Sequence, residues 1–284
     1  MKSFAKLVNP YILFGAIFIV FPMILIFLYA FTQSGNDVAT ITFTLANFKK
    51  FIDPVFIKVL LKSLRIALFT TIICVVIGYP IAYIIANITT KYGVFLILLI
   101  TFPMWINMLV RTYAWIGIVS DEGFINSMLQ QIGLKPVTML YTDFAVLLGM
   151  VYNCLPFMIV QIHSSLDKMD KGIINASYDL GANRWQTFRR VILPLSIPGV
   201  LSGITLVFLP SVSTFIIPKL LGGGQYMLVG NLIENQFITV GDWNFGSAIS
   251  LIMALIIMAS MYLTKKADKD LESDRNKGAK AWSE

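Results

Sequence analysis

The chain has 284 residues, of which 57% are hydrophobic and only 13% charged, and its formal net charge is +7. Soluble domains average about 25% charged residues, so this composition excludes an ordinary soluble domain and favours a membrane protein. The positive charge does not require a nucleic-acid ligand, because basic residues at the inner face of a membrane meet anionic lipid.

Six nearly uncharged apolar runs are each long enough to cross the hydrocarbon core as a helix, which takes about 20 residues. We predict an all-α membrane protein with six transmembrane helices, at about residues 11–32, 63–88, 93–118, 143–164, 191–217 and 243–264. Together these make one transmembrane domain, residues 1–264. Residues 265–284 form a charged tail that we expect to fray into solvent. The first run is too long for a usual signal peptide and no small-residue cleavage site follows it, which favours an uncleaved anchor.

The distribution of the 22 lysines and arginines predicts the orientation. Most of them lie on one side if the N-terminus is cytoplasmic, as the positive-inside rule requires. We therefore expect both termini, and the loop 165–190 between the fourth and fifth spans, to face the cytoplasm.

Catalytic and nucleotide-binding motifs are absent from the sequence. There is no GxxxxGK[ST] phosphate loop, no HExxH and no GxSxG. His163 is the only histidine, and Cys74 and Cys154 both fall within predicted spans, where they are most simply packing residues. We expect neither an enzyme nor a metal or cofactor held by this chain.

The segment SLDKMDKGIINASYDLGANRWQTFRRVILP breaks the apolar pattern between the fourth and fifth spans. Its spacing predicts two short helices, 167–180 and 184–192, separated by a left-handed turn at Gly181 and with Asn183 as the N-cap of the second. Four prolines between residues 194 and 218 predict a bend just beyond it. Small residues, aromatic anchors and a basic rim describe either a protein-docking surface or a basic hairpin lying on lipid.

This segment resembles the EAA loop of permease subunits of bacterial ABC importers, which reads Glu-Ala-Ala, then Gly-Ala, then Leu-Pro. Asn175 stands here in place of the acid and Ser177 in place of the second alanine. The resemblance implies a coupling helix that docks on an ATPase subunit. The coupling residues it implies are Asn175, Ala176, Ser177, Asp179, Gly181, Ala182, Trp185, Phe188, Arg189, Leu193 and Pro194.

Two further stretches, PMWINMLVRTYAWIGIV at 103–119 and IIPKLLGGGQYMLVGNLIENQF at 216–237, are similar to permeases of spermidine/putrescine importers. The resemblance implies the MetI-like fold of type I importers in a bacterial cytoplasmic membrane. It also implies a second, homologous permease, two ATPase subunits that hold ATP and Mg, and an extracytoplasmic substrate-binding protein. Alternatives remain open: another cargo, such as ferric iron, an opine or another organic cation, or a channel or scaffold.

A polyamine cargo would be held by aromatic faces and polar or acidic groups. The candidate pathway residues are Trp105, Tyr113, Tyr152, Asn153, Phe157, Asp143 and Glu234. Many aromatic side chains of a membrane protein instead face lipid. Arg111 would repel a polycation, and we expect it to be structural and paired with a carboxylate such as Asp121 or Glu122.

Overall fold

The computed structural model of the chain describes residue 10 and residues 13–33, 42–88, 90–224 and 226–281. These residues form helices and connecting turns, with no strand and only an isolated antiparallel bridge between Thr32 and Phe43. The predicted all-α class is therefore confirmed.

Twelve helices follow one another in the described part of the chain. They are α1 (Leu13–Ala30), α2 (Ala46–Phe51), α3 (Pro54–Ala86), α4 (Thr90–Thr101), α5 (Met108–Val119), α6 (Phe124–Gln131), α7 (Asp143–Asp167), α8 (Lys171–Asp179), α9 (Arg184–Ser213), α10 (Ile216–Leu221), α11 (Val229–Glu234) and α12 (Trp243–Ala281). Five of them, α1, α3, α7, α9 and α12, are long and apolar enough to cross a membrane. Residues 11 and 12 of the first predicted span lie outside the described residues.

The third predicted span, 93–118, is not one straight helix. Helix α4 continues as a 3₁₀ turn, Phe102–Trp105, and α5 then starts at a bend of 94°. Pro103 removes a backbone donor at this point. Asn107 caps α5, since its side chain accepts a hydrogen bond from the Leu109 N–H over 2.8 Å. The broken pair gives the chain its sixth crossing if both arms are one span.

The second span starts earlier than its apolar run. Asp53 caps α3 by accepting a hydrogen bond from Val55 N–H, and Pro54 occupies the first turn. The helix then runs for 33 residues, about 50 Å at 1.5 Å per residue, which exceeds a hydrocarbon core of about 30 Å. Lys58 and Lys62, which precede the predicted span, therefore lie on a helical extension of it.

Helices α3, α7 and α9 pack against one another and form the centre of the bundle. Tight contacts between them require glycine: a Cβ on Gly199 would lie 2.4 Å from the Ser165 Cβ, and one on Gly203 would lie 2.5 Å from the Met158 sulfur. Helix α1 packs on α12 at the edge of the bundle and is otherwise exposed, as expected for a helix in contact with lipid.

Two sequence expectations concern the ends of α9 and α12. Helix α9 contains a π-helical turn at Phe188–Ile192, continues through Pro194 and Pro198, and ends at Ser213, where Thr214 is extended. The chain therefore leaves the helix within the proline-rich range 194–218, at its far end rather than directly after the elbow. The charged tail, expected to fray from residue 265, is helical as far as Ala281; residues 282–284 lie outside the described residues.

Candidate functional site

Helix α8 and the start of α9, as far as residue 192, form a compact elbow, residues 171–192. Asp170 caps α8 by accepting a hydrogen bond from Gly172 N–H over 2.8 Å. The chain then reverses at Gly181, whose φ of +80° is the left-handed conformation predicted for it. Asn183 and Gln186 form a reciprocal capping box at the start of α9, with bonds of 2.8 and 2.9 Å. The turn and the second cap are as predicted; the first helix begins at Lys171 rather than 167, because α7 continues through Asp167.

A buried hydroxyl pair joins the two arms of the elbow. The oxygens of Ser177 and Thr187 lie 2.9 Å apart, and the Ser177 hydroxyl also lies 2.7 Å from the Ile174 carbonyl oxygen. Both side chains are buried. Ser177 therefore has a structural role that its position in the resembling motif, normally alanine, does not reveal.

Aromatic contacts fix the elbow to the bundle. The rings of Trp185 and Phe188 stack with centroids 5.7 Å apart, and Phe188 meets Tyr79 and Tyr83 of α3 edge-on at 5.9 and 5.4 Å. The Tyr79 hydroxyl in turn lies 2.7 Å from the Ser196 hydroxyl on α9. These contacts connect the elbow to α3 and to the rest of α9.

The outer surface of the elbow is exposed and mixed in character. Leu180 is 89% exposed and Trp185 66% exposed. The other exposed residues of the predicted coupling set are Asn175, Ala176, Asp179, Gly181, Arg189, Leu193 and Pro194, while Ala182 and Phe188 are partly buried. Exposed apolar side chains with a rim of arginines form a surface of the kind that docks on another protein.

A second site is a cavity of about 410 Å³ lined by residues of α5, α7, the end of α9 and α10. Two of the predicted pathway residues, Asn153 and Phe157, line it. Asn153 lies ten residues into α7, about 15 Å from its start, and therefore near mid-membrane depth. Its amide N–H donates to the Gly149 carbonyl over 3.0 Å, whereas its Oδ1 is buried and has no hydrogen-bond partner among the described residues.

Arg111 also lines this cavity, and the predicted pairing with Asp121 or Glu122 is wrong. Its Nε and Nη1 atoms are buried without a hydrogen-bond partner, and none of the four ion pairs among the described residues includes it. Both acids lie beyond the end of α5, about 15 Å further along the chain. A charge within an otherwise uncharged span was the sequence signal that Arg111 faces a cavity.

The other predicted pathway residues lie elsewhere. Trp105 is 86% exposed at the bend before α5, and Tyr113 is also exposed. Tyr152 packs edge-on against Trp115, with ring centroids 5.2 Å apart. The structure therefore does not bring the aromatic candidates together as one cage.

The acidic candidates already have cationic neighbours. Asp143 lies 3.5 Å from both Lys62 and Arg65, and Glu234 lies 2.5 Å from Lys219. The Lys62 ammonium group also lies 3.5 Å from the centroid of the Tyr226 ring. The pKa of the Tyr226 phenol is raised, mainly by burial and then by the neighbouring Asp143 carboxylate. An incoming ammonium group would compete with these side chains.

Comparison with known sequences identifies relatives over nearly the whole chain. A family model described as "Binding-protein-dependent transport system inner membrane component" matches residues 2–272. The spermidine/putrescine transport system permease protein PotB of Escherichia coli K12 is 38% identical, over 84% of this chain and 90% of its own. PotB of Salmonella typhimurium LT2 is 35% identical, over 95% of this chain and 96% of its own. PotB of Haemophilus influenzae Rd is 36% identical, over 89% of this chain and 89% of its own.

Solved structures share the fold at low sequence identity. A bacterial ABC transporter involved in the import of the acidic polysaccharide alginate matches with a TM-score of 0.80 at 16% identity, covering 95% of this chain and 96% of its own. An alginate transporter in complex with an alginate pentasaccharide-bound periplasmic protein matches with a TM-score of 0.78 at 17% identity, covering 93% and 92%.

Proposed function

The chain belongs to the family of binding-protein-dependent transport system inner membrane components, and on this premise we propose that it is a permease subunit through which spermidine or putrescine is imported. The observation that carries the proposal is its 35–38% identity to PotB permeases from three bacteria, over most of each chain. Family membership and its apolar spans make it a multi-pass inner membrane protein. Its role is transport rather than catalysis.

The cargo is tested by uptake. Radiolabelled spermidine and putrescine are supplied to cells without other polyamine uptake that express this chain with its transport partners, and each label is competed with the other polyamine, with ferric iron and with an opine. We expect saturable uptake that only polyamines compete. Uptake of neither polyamine would overturn the cargo and leave the family assignment intact.

The elbow docks on an ATPase subunit. Exposed Leu180 and Trp185 supply apolar anchors, and Arg184, Arg189 and Arg190 supply a charged rim. On this proposal the elbow and both termini are cytoplasmic. ATP and Mg bind to the partner, and closure of an ATPase dimer moves the elbow together with α7 and α9.

The docking is tested with single cysteines in a background where Cys74 and Cys154 are serine. A cysteine at Asp179 on the elbow should cross-link to the ATPase subunit and react with a membrane-impermeant thiol reagent only in inside-out vesicles. A cysteine at Lys135, which is exposed in the loop after α6, should not cross-link to the ATPase subunit, and its reaction with the reagent should not require inside-out vesicles. Absence of any ATPase subunit in the purified complex would favour a channel or a scaffold.

A homologous second permease completes the pathway, and a substrate-binding protein delivers cargo from outside. The cavity beside α5 and α7 supports this arrangement, since it provides a polar amide at mid-membrane depth, where a polar side chain needs a partner or a substrate. Alternating access then opens the cavity first to the binding protein and afterwards to the cytoplasm.

A further inference from the structure

Arg111 is a half-buried residue that lines the cavity, and its guanidinium has no ion-pair partner among the described residues. Its Nε and Nη1 atoms are buried and without a hydrogen-bond partner among the described residues. Partial burial of an uncompensated charge is unfavourable, so a counter-charge supplied in the working assembly would stabilise Arg111.

The described part of the chain does not supply that counter-charge. Asp143 is engaged by Lys62 and Arg65, Glu234 by Lys219, and Asp242 by Lys50. Asp121 and Glu122 are exposed at the turn beyond α5. The groups that share the cavity with Arg111 are neutral: hydroxyls such as Ser211 and Thr214, the amide of Asn153, and apolar side chains.

The cavity has the room and the chemistry for an acid. At about 410 Å³ it is in the range of pockets that hold small organic groups. Guanidinium N–H groups match a carboxylate in both charge and hydrogen bonding. The unpartnered Oδ1 of Asn153, which is 8% exposed, requires an N–H or O–H donor. The cavity therefore presents one position for an anion and a separate position for a donor.

We propose that the cavity beside Arg111 is a carboxylate-receiving site, and that the carboxylate neutralises Arg111 so that a cationic group can be held at Asn153. Two sources share this chemistry: an aspartate or glutamate of the second permease, and a carboxylate-bearing solute. The proposal builds on the proposed function, because a cationic cargo would otherwise be repelled by Arg111.

The first arm of the test uses charge reversal in the whole transporter. We expect Arg111→Met and Arg111→Glu to lower uptake at least tenfold, Arg111→Lys to retain most of it, and Lys135→Met, an exposed loss of the same charge, to leave it unchanged. Each membrane-depth acid of the second permease is then replaced by arginine in the Arg111→Glu background. Restoration by one such reversal identifies a side chain of the second permease as the source.

The second arm examines a free carboxylate. The purified transporter is heated in sodium acetate and in sodium chloride at equal ionic strength. If a solute is the source, acetate raises the unfolding temperature of the wild type but not of Arg111→Met, because only a ligand of the native state stabilises it. Thermal unfolding in acetate and assembly with the second permease are measured without the cargo. Both measurements can therefore still be interpreted if the protein does not take up polyamines.

Two outcomes overturn the proposal. One is wild-type behaviour of Arg111→Met in uptake, basal ATP hydrolysis and assembly. The other is loss of function in Arg111→Met with neither a restoring reversal nor an acetate effect, since Arg111 would then act through packing alone.

Discussion

The elbow and the cavity differ in whether their buried polar groups have hydrogen-bond partners. In the elbow, Ser177 and Thr187 satisfy each other, and Asn183 and Gln186 do the same at the cap. In the cavity, Arg111 and Asn153 have buried polar atoms with no hydrogen-bond partner in the part of the chain that the structure describes. A segment whose polar groups hydrogen-bond to one another behaves as a rigid unit. A site with buried polar groups that lack partners is completed by a group from another molecule.

The largest effect should come from blocking the elbow. Gly181→Trp places a large side chain on its exposed surface and adds about 1–2 kcal/mol of left-handed strain, so we expect uptake below about 1% of wild type with membrane insertion intact. Gly133→Trp is the matched control, because Gly133 has a φ of +78° and equally open surroundings, but lies outside the elbow. Equal losses in both variants would contradict a docking role.

A smaller effect is expected in the cavity. Asn153→Leu keeps the branching and the number of side-chain heavy atoms and removes the unpartnered Oδ1. The KM for polyamine uptake should therefore rise about tenfold, which corresponds to one hydrogen bond to a charged group, ~1.5 kcal/mol. The maximal rate should change little. Gln130→Leu removes an exposed amide outside the cavity and serves as the control. An unchanged KM for Asn153→Leu would show that cargo does not contact this amide.

The closed bonding of the elbow is tested by a double-mutant cycle. Ser177→Ala leaves the Thr187 hydroxyl without its partner and should destabilise the assembled transporter by about 1–3 kcal/mol, whereas Ser177→Ala combined with Thr187→Val should recover most of that loss. Thermal unfolding measures both. If the double variant is less stable than either single variant, the two hydroxyls do not act as a pair.

The smallest effect should come from an exposed ion pair. Lys219→Met removes the partner of Glu234, but the lysine side chain is 55% exposed, and such pairs contribute about 0–1 kcal/mol. We expect a change in unfolding temperature of no more than about 2 °C, smaller still at high salt. A larger fall in unfolding temperature would show that this ion pair, like the hydroxyl pair of the elbow, contributes substantially to the stability of the fold.

Local sequence signals predicted the elbow better than the cavity. Gly181 and Asn183 act through their own backbone and their neighbours in sequence, so the turn and the cap could be identified from the chain alone. The bond between Ser177 and Thr187 joins two helices across that turn, and the motif offered no signal for it. The bend before α5 had signals in Pro103 and Asn107, but the uninterrupted apolar run outweighed them.

By itself the sequence determined the class of the protein, the approximate positions of its spans and the turn of the elbow, because apolar length, glycine conformation and capping are local properties. Only the tertiary structure decided which polar groups have partners. Arg111 and Asn153 meet on one cavity because α5 turns by 94° and packs beside α7. Whether a buried charge is paired depends on contacts between residues distant in the chain, and a single sequence does not specify these one by one.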